Sequence, residues 1–169
     1  MFAGYYRLTF SLLALLLLNA CGFTLRGTDS ATFPQQLQQI QLNYADNNTI
    51  GRLLRDRLQA SGLELLEGNA EYVLSINEER SRERIVSVNR NVRAGEYELT
   101  LITSWQLRNG PEILIDSGPL SLFRIYEADP DNPAAKTSEA ELILAEMRQD
   151  LVSQIIRQLQ NADLSSDPL

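Results

Sequence analysis

The chain has no histidine. That removes the side chain most often used as a general base, the commonest metal ligand and the Ser-His pairing of hydrolytic triads. It has one cysteine, Cys21, so no disulfide can form within the chain. It has one lysine, Lys136, beside 14 arginines. Its cationic chemistry is therefore almost wholly that of the planar guanidinium, which pairs two-pronged with carboxylate and phosphate. Basic residues number 15 against 22 acidic ones, a formal charge of −7, which speaks against general affinity for nucleic acid. No apolar run reaches the roughly 20 residues that a helix needs to cross a hydrocarbon core. There is no internal repeat and no low-complexity segment.

What is present starts at the N-terminus. Arg7 and the terminal amine precede an apolar run from Leu8 to Leu18, interrupted only by Thr9 and Ser11. Too short to span a bilayer, the run fits the hydrophobic region of a secretory signal. It ends at Leu18-Asn19-Ala20-Cys21, which resembles the bacterial lipobox, with Asn19 a less usual residue. A buried thiol is the alternative reading of Cys21, but its place at the end of a signal favours lipid attachment. Several acyl chains anchor stably where one does not. By analogy with lipoprotein sorting, Gly22 rather than Asp after the cysteine points to the outer membrane. The expected organisation is a signal peptide over 1–20, the lipidated Cys21 and a tether over 21–36, one domain over 37–162, and a polar tail over 163–169.

Along the domain, Ile40, Leu42 and Tyr44 alternate as in a first strand. Asp46 to Thr49 offers N-caps for a helix over 49–61, with Gly62 at its end. Tyr72, Leu74 and Ile76 mark a second strand, which runs on into the charged stretch from Glu78 to Arg84. Tyr97, Leu99, Leu101, Thr103, Trp105 and Leu107 then share one face of a half-buried antiparallel strand. Asn109-Gly110 signals a hairpin, with Pro111 suggesting a slightly longer loop. The return strand is interrupted by a bend at Gly118-Pro119. Ser138 and Glu141 form a capping box that opens a long amphipathic helix with the stripe Leu144, Met147, Leu151, Ile155 and Leu159. The expected fold is α+β: about four strands, mostly antiparallel, with two helices on one face and the two strands of the first strand–helix–strand unit parallel if they are neighbours.

Several segments resemble the LptE family of lipopolysaccharide-assembly lipoproteins, in order: Cys21-Gly22-Phe23-Thr24-Leu25-Arg26-Gly27, Arg93-Ala94-Gly95-Glu96-Tyr97-Glu98-Leu99-Thr100, Arg124 to Tyr126, Asp131-Asn132-Pro133, Ala135-Lys136 and Glu146-Met147. The likeness runs over nearly the whole chain after Ala20. It implies a heterodimer with the outer-membrane β-barrel LptD, in whose lumen the domain sits as a plug. It also implies help in assembling that barrel and a part in delivering lipopolysaccharide to the outer leaflet. It implies no enzymatic activity and no cofactor. The domain would lie on the periplasmic side and within the barrel, anchored in the outer membrane by its lipid.

Candidate ligand contacts are basic, because lipopolysaccharide carries phosphates and carboxylates. Arg80, Arg82 and Arg84 share a strand face, and Glu78, Glu79 and Glu83 are close enough to neutralise them. They are read as a solvated strand ladder. Arg90 and Arg93 have no acidic residue between them and lie in a connection, where binding residues concentrate. Lys136 precedes the capping box, near the positive end of a helix dipole, where an anion would meet the ammonium and free helix N–H groups. The alternative is an ordinary exposed lysine at a helix start. The resemblance implies lipopolysaccharide contact at Arg90 and Lys136. Asp129, Asp131 and Asn132 lack the spacing of a calcium loop. Two other functions compete. A generic envelope adaptor would expose an apolar patch, whereas a plug needs polar surface nearly all round to suit a polar lumen. A lipid-anchored hydrolase lacks both His and a nucleophile motif. If Cys21 carries the lipid, Cys21→Ser yields a protein with no acyl mass by intact mass spectrometry; acylated Cys21→Ser protein would refute the assignment.

Overall fold

The computed structural model describes residues 33–88, 94–129 and 131–164. The segments assigned to the signal peptide, Cys21 and most of the tether lie outside them.

Among the described residues, eight strands and two helices follow a short 3-10 turn, Gln35–Leu37. Strand β1 (Gln39–Asn43) leads into helix α1 (Thr49–Ala60), then β2 (Glu64–Leu66) and β3 (Tyr72–Ile76). Strands β4 (Arg80–Val88), β5 (Ala94–Thr103), β6 (Trp105–Asn109), β7 (Glu112–Asp116) and β8 (Leu120–Glu127) run to helix α2 (Pro133–Gln160). The fold is α+β, but its strands make two sheets rather than the single four-stranded one expected. One is five-stranded and mixed, in the order β2-β1-β3-β6-β7; the other is three-stranded and antiparallel, in the order β4-β5-β8. Strand β1 pairs parallel with both β2 and β3, as the intervening crossover helix requires.

The side-chain period explains both the success and the miss. Tyr97, Leu99, Leu101, Thr103, Trp105 and Leu107 are all buried, as their alternation predicts. The strand nevertheless breaks at Ser104, between β5 and β6. Because the in-out phase is the same on both sides of the break, alternation cannot reveal it. The other two strand lines break at the same level, β3 from β4 at 77–79 and β7 from β8 at 117–119. Isolated backbone and side-chain hydrogen bonds there replace the ladder. The Asn77 amide donates to the Ser104 carbonyl at 2.8 Å, and its side chain to the Ser104 hydroxyl at 2.7 Å. The Trp105 amide donates to the Ser117 hydroxyl at 2.9 Å. Gly118 takes a φ of 58°, and its amide donates to Asp116, so the expected bend is a complete change of sheet.

The core lies between the helices and one face of the larger sheet. Ile40, Leu74, Ile76, Trp105 and Leu107 from the strands meet Ile50, Leu54 and Leu58 of α1 and Met147, Leu151, Val152, Ile155 and Leu159 of α2. Gly51 is required by close packing: a Cβ there would lie 2.4 Å from the ring of Tyr44. The hairpin at Gly110-Pro111 is a tight two-residue loop, Asn109 pairing with Glu112, shorter than Pro111 suggested. Helix α2 starts five residues before the expected cap. Asn132 is the cap, its side-chain oxygen accepting from the Ala135 amide, and Pro133 occupies the first helical position, where its missing N–H costs nothing. Ser138 and Glu141 are therefore inside the helix.

Asn48 is 3% exposed. Its side-chain oxygen caps α1 by accepting from the Gly51 amide at 2.8 Å, and its amide group donates to the Asn77 carbonyl at 2.8 Å. Asn48→Ala loses both and is expected to cost about 2 kcal/mol in urea unfolding. Asn48→Asp keeps the cap but loses the donor, so it should be destabilised as well; an Asp variant as stable as the wild type would show that only the cap matters.

Candidate functional site

The inner face of the three-stranded sheet, turned toward α2, carries the site. In β5 and β8, Tyr97 and Tyr126 are directly opposite one another, and their rings stack with centroids 5.6 Å apart. In β4, Glu83 is opposite Leu99, on this same face, while Arg80, Arg82 and Arg84 point to the other. The first turns of α2 bring Lys136 over the group. Its ammonium lies 3.7 Å from the centre of the Tyr97 ring, a cation–π contact, and pairs with Glu83 Oε1 at 2.5 Å. The second oxygen of Glu83 accepts from the Tyr126 hydroxyl at 2.6 Å. Lys136 is thus held from two sides rather than standing free at the helix start; its side chain is 26% exposed.

The electrostatics follow from this geometry. Burial raises the pKa of the Glu83 carboxyl, but the hydrogen bonds from Lys136 and Tyr126 outweigh it and hold the group below the ordinary carboxylate value. Burial and the neighbouring Glu83 carboxylate push the Tyr126 hydroxyl above its ordinary value. Two further ion pairs fasten the same helix: Glu79 with Arg148 at 2.6 Å and Arg124 with Asp150 at 2.8 Å.

The other sequence candidates divide. Arg90 and Arg93 lie outside the described residues, in the connection between Val88 and Ala94, which face one another across the β4–β5 pair. Arg80 and Arg84 are neutralised by Glu78 and Glu98, the second pair two-pronged at 2.7 and 2.8 Å. The strand-ladder reading fits those two. It misassigns Glu83 and Glu79, whose ion-pair partners are on α2. Asp129 accepts from the Asp131 amide and Asn132 caps α2, so Asp129 serves the turn and Asn132 the helix start. Among the described residues no group of three metal-binding side chains converges. A cleft of about 650 Å³ lined by Gln38, Gln39, Glu64, Asn69 and Glu71 includes no cation, so it does not suit phosphate. Sequence reasoning missed Glu83, Tyr97 and Tyr126 as members of the site. Tyr97 lay in the core alternation, and only the pairing of β5 with β8 shows which residue it meets.

Comparison with known proteins bears on the whole domain. Residues 37–159 match the family model LptE, described as lipopolysaccharide-assembly. The chain is 31% identical over 156 residues to the LPS-assembly lipoprotein LptE of Pectobacterium atrosepticum, covering 87% of this chain and 80% of the relative. It is 32% identical over 154 residues to the protein of the same name from Photorhabdus laumondii, covering 87% and 81%. Two solved structures share the fold. Rare lipoprotein B of Shewanella oneidensis superposes with a TM-score of 0.65 at 23% identity, over 71% of this chain and 92% of that one. Lipoprotein B of Nitrosomonas europaea gives 0.68 at 24%, over 82% and 90%.

The lowered pKa of Glu83 sets a sign for pH. A carboxyl whose folded pKa is depressed stabilises the fold above its unfolded pKa, near 4.5, and this contribution is lost as pH falls through the lower folded value. The wild type should therefore melt above Glu83→Gln at neutral pH. The gap should close below about pH 4.5. A gap constant from pH 7 to pH 3 would show that Glu83 is not held by charge.

Proposed function

The chain belongs to the LptE family of lipopolysaccharide-assembly proteins, and on that premise we propose that it is an outer-membrane lipoprotein that plugs and helps assemble the β-barrel LptD and takes part in delivering lipopolysaccharide to the outer leaflet. In this reading residues 1–20 are removed as a signal, Cys21 carries the lipid, and the domain over 37–162 sits on the periplasmic side and within the barrel lumen. It acts by binding, without a catalytic step or a cofactor. The observation that carries the reading is the family match across 37–159.

The geometry supports a ligand site in one region. Lys136, the only lysine of the chain, lies over the rungs formed by Glu83 and Tyr97. The connection holding Arg90 and Arg93 leaves and re-enters the same sheet at Val88 and Ala94. We assign Arg90, Lys136 and Arg93 as the contacts to lipopolysaccharide phosphates, since charge-assisted hydrogen bonds to phosphate are the strong ones available to them.

One observation favours a second reading. On the outward face of the three-stranded sheet, Ile102, Phe123 and Ile125 are 37%, 61% and 56% exposed. Large exposed apolar side chains rimmed by charge mark interaction surfaces, and an envelope adaptor would use such a face.

Purification of the tagged protein from its own membrane separates the two. A stoichiometric β-barrel that stays bound at high salt is expected. Arg90→Asp and Lys136→Asp should then weaken lipopolysaccharide binding by about tenfold each, the loss of one charge-assisted contact, while leaving the barrel complex intact. Recovery of the protein alone, or with a secretion or transport assembly, would decide for the adaptor.

A further inference from the structure

We infer that Glu83 determines the ligand specificity of the Lys136 site: its carboxylate occupies the ammonium, so that a phosphate displaces it and a singly charged carboxylate does not. The inference rests on the assignment of Lys136 as a ligand contact.

The Lys136 ammonium is engaged by the Tyr97 ring and by Glu83 Oε1 and its side chain is 26% exposed, so an incoming anion meets a cation whose charge Glu83 already balances and must compete with that carboxylate for it. Tyr97 is the fixed partner, 8% exposed and stacked on Tyr126. Glu83 is the replaceable one. Its side chain is 32% exposed, and it stands on β4, an edge strand of its sheet. When it leaves the ammonium it is not stranded, because Oε2 keeps the hydrogen bond from the Tyr126 hydroxyl. Nor does α2 come away from the sheet, since Arg148–Glu79 and Arg124–Asp150 hold it independently.

The position of the lysine also favours exchange. Helix α2 begins at Pro133, and a cation in the first turns of a helix is opposed by the macrodipole. Lys136 therefore gains nothing from its helix and depends on the anion beside it. A tethered carboxylate competes at an effective concentration of about millimolar or higher. Replacing it by another carboxylate exchanges like for like and brings no net gain. A phosphate monoester carries a charge of about −1.5 to −2 at neutral pH and three acceptor oxygens, so it has charge to spare in the exchange. The carboxylate thus acts as a threshold that passes phosphorylated ligands and rejects weaker anions.

The test titrates the full-length protein, in mild detergent, with purified lipopolysaccharide and with the same material stripped of its phosphates. Glu83→Gln keeps an acceptor for Tyr126 and removes the charge. It is expected to bind intact lipopolysaccharide on the order of fivefold to tenfold more tightly, as expected from removing one charge-assisted competitor. The gain should be larger for the dephosphorylated form, narrowing the preference for phosphate. Both gains should vanish in the Glu83→Gln/Lys136→Ala double variant. If Lys136→Ala weakens binding but Glu83→Gln leaves affinity and phosphate preference unchanged, the inference is overturned and the ligand contact stands. If Lys136→Ala has no effect in either background, the contact falls and the inference with it. Far-UV circular dichroism checks folding. Should Glu83→Gln fail to fold, Glu83→Asp, which draws the charge back by one methylene, is expected to shift affinity in the same direction, and no shift would overturn the inference.

Discussion

A single backbone carbonyl, that of Asn77, joins the parts of this molecule. It accepts from the Asn48 side chain at 2.8 Å and from the Thr103 hydroxyl at 3.2 Å. Asn48 and Thr103 are the buried polar residues of the described structure. Those two buried side chains would be costly to leave unpaired, and Asn77 lies where the ladder between the sheets has stopped. The carbonyl is therefore satisfied by the cap of α1 on one side and the last residue of β5 on the other. This ties the first helix to the level at which the chain passes between the sheets. The larger sheet can then end, and the smaller one begin, with no buried side-chain nitrogen or oxygen among the described residues left unpaired.

The second helix uses that arrangement. At 28 residues, α2 is about 42 Å long at 1.5 Å per residue. Its C-terminal half closes the core of the larger sheet, where the Trp105 indole donates to Gln158 at 3.1 Å. From its start to Asp150 the helix lies along the smaller sheet, where Ala140, Ile143, Leu144 and Met147 pack on the core and Lys136, Arg148 and Asp150 each meet an opposite charge on or beside β4 and β8. The consequence is a division of labour along one helix. One end is committed to packing, which does not readily rearrange. The other is held in addition by partly exposed charge pairs, which can exchange partners at small cost.

Much of this was legible in the chain. The first helix, the buried set from Tyr97 to Leu107 and the stripe from Met147 to Leu159 follow from apolar spacing alone, because burial of one face imposes the period. The start of α2 was misplaced because Ser138-Glu139-Ala140-Glu141 is a sound capping box, yet Asn132, six residues earlier and followed by Pro133, is a sound cap as well. Local chemistry does not rank two valid caps. Glu83 was read against its sequence neighbours Arg82 and Arg84. Those point to the opposite face, so its partner had to come from another element.

By itself the sequence determined the kind of protein this is. It has no histidine and one cysteine at the end of a signal-like segment, and its apolar periodicities allow an α+β domain and little else. Those are properties of composition and of near neighbours, which a chain carries with it before folding. Only the tertiary structure decided that there are two sheets, since a break that preserves the in-out phase leaves no mark on the alternation. It alone decided that the lone lysine is engaged rather than free. That depends on a contact between residues 53 positions apart, and such a meeting is set by strand order and helix placement, not by any local pattern.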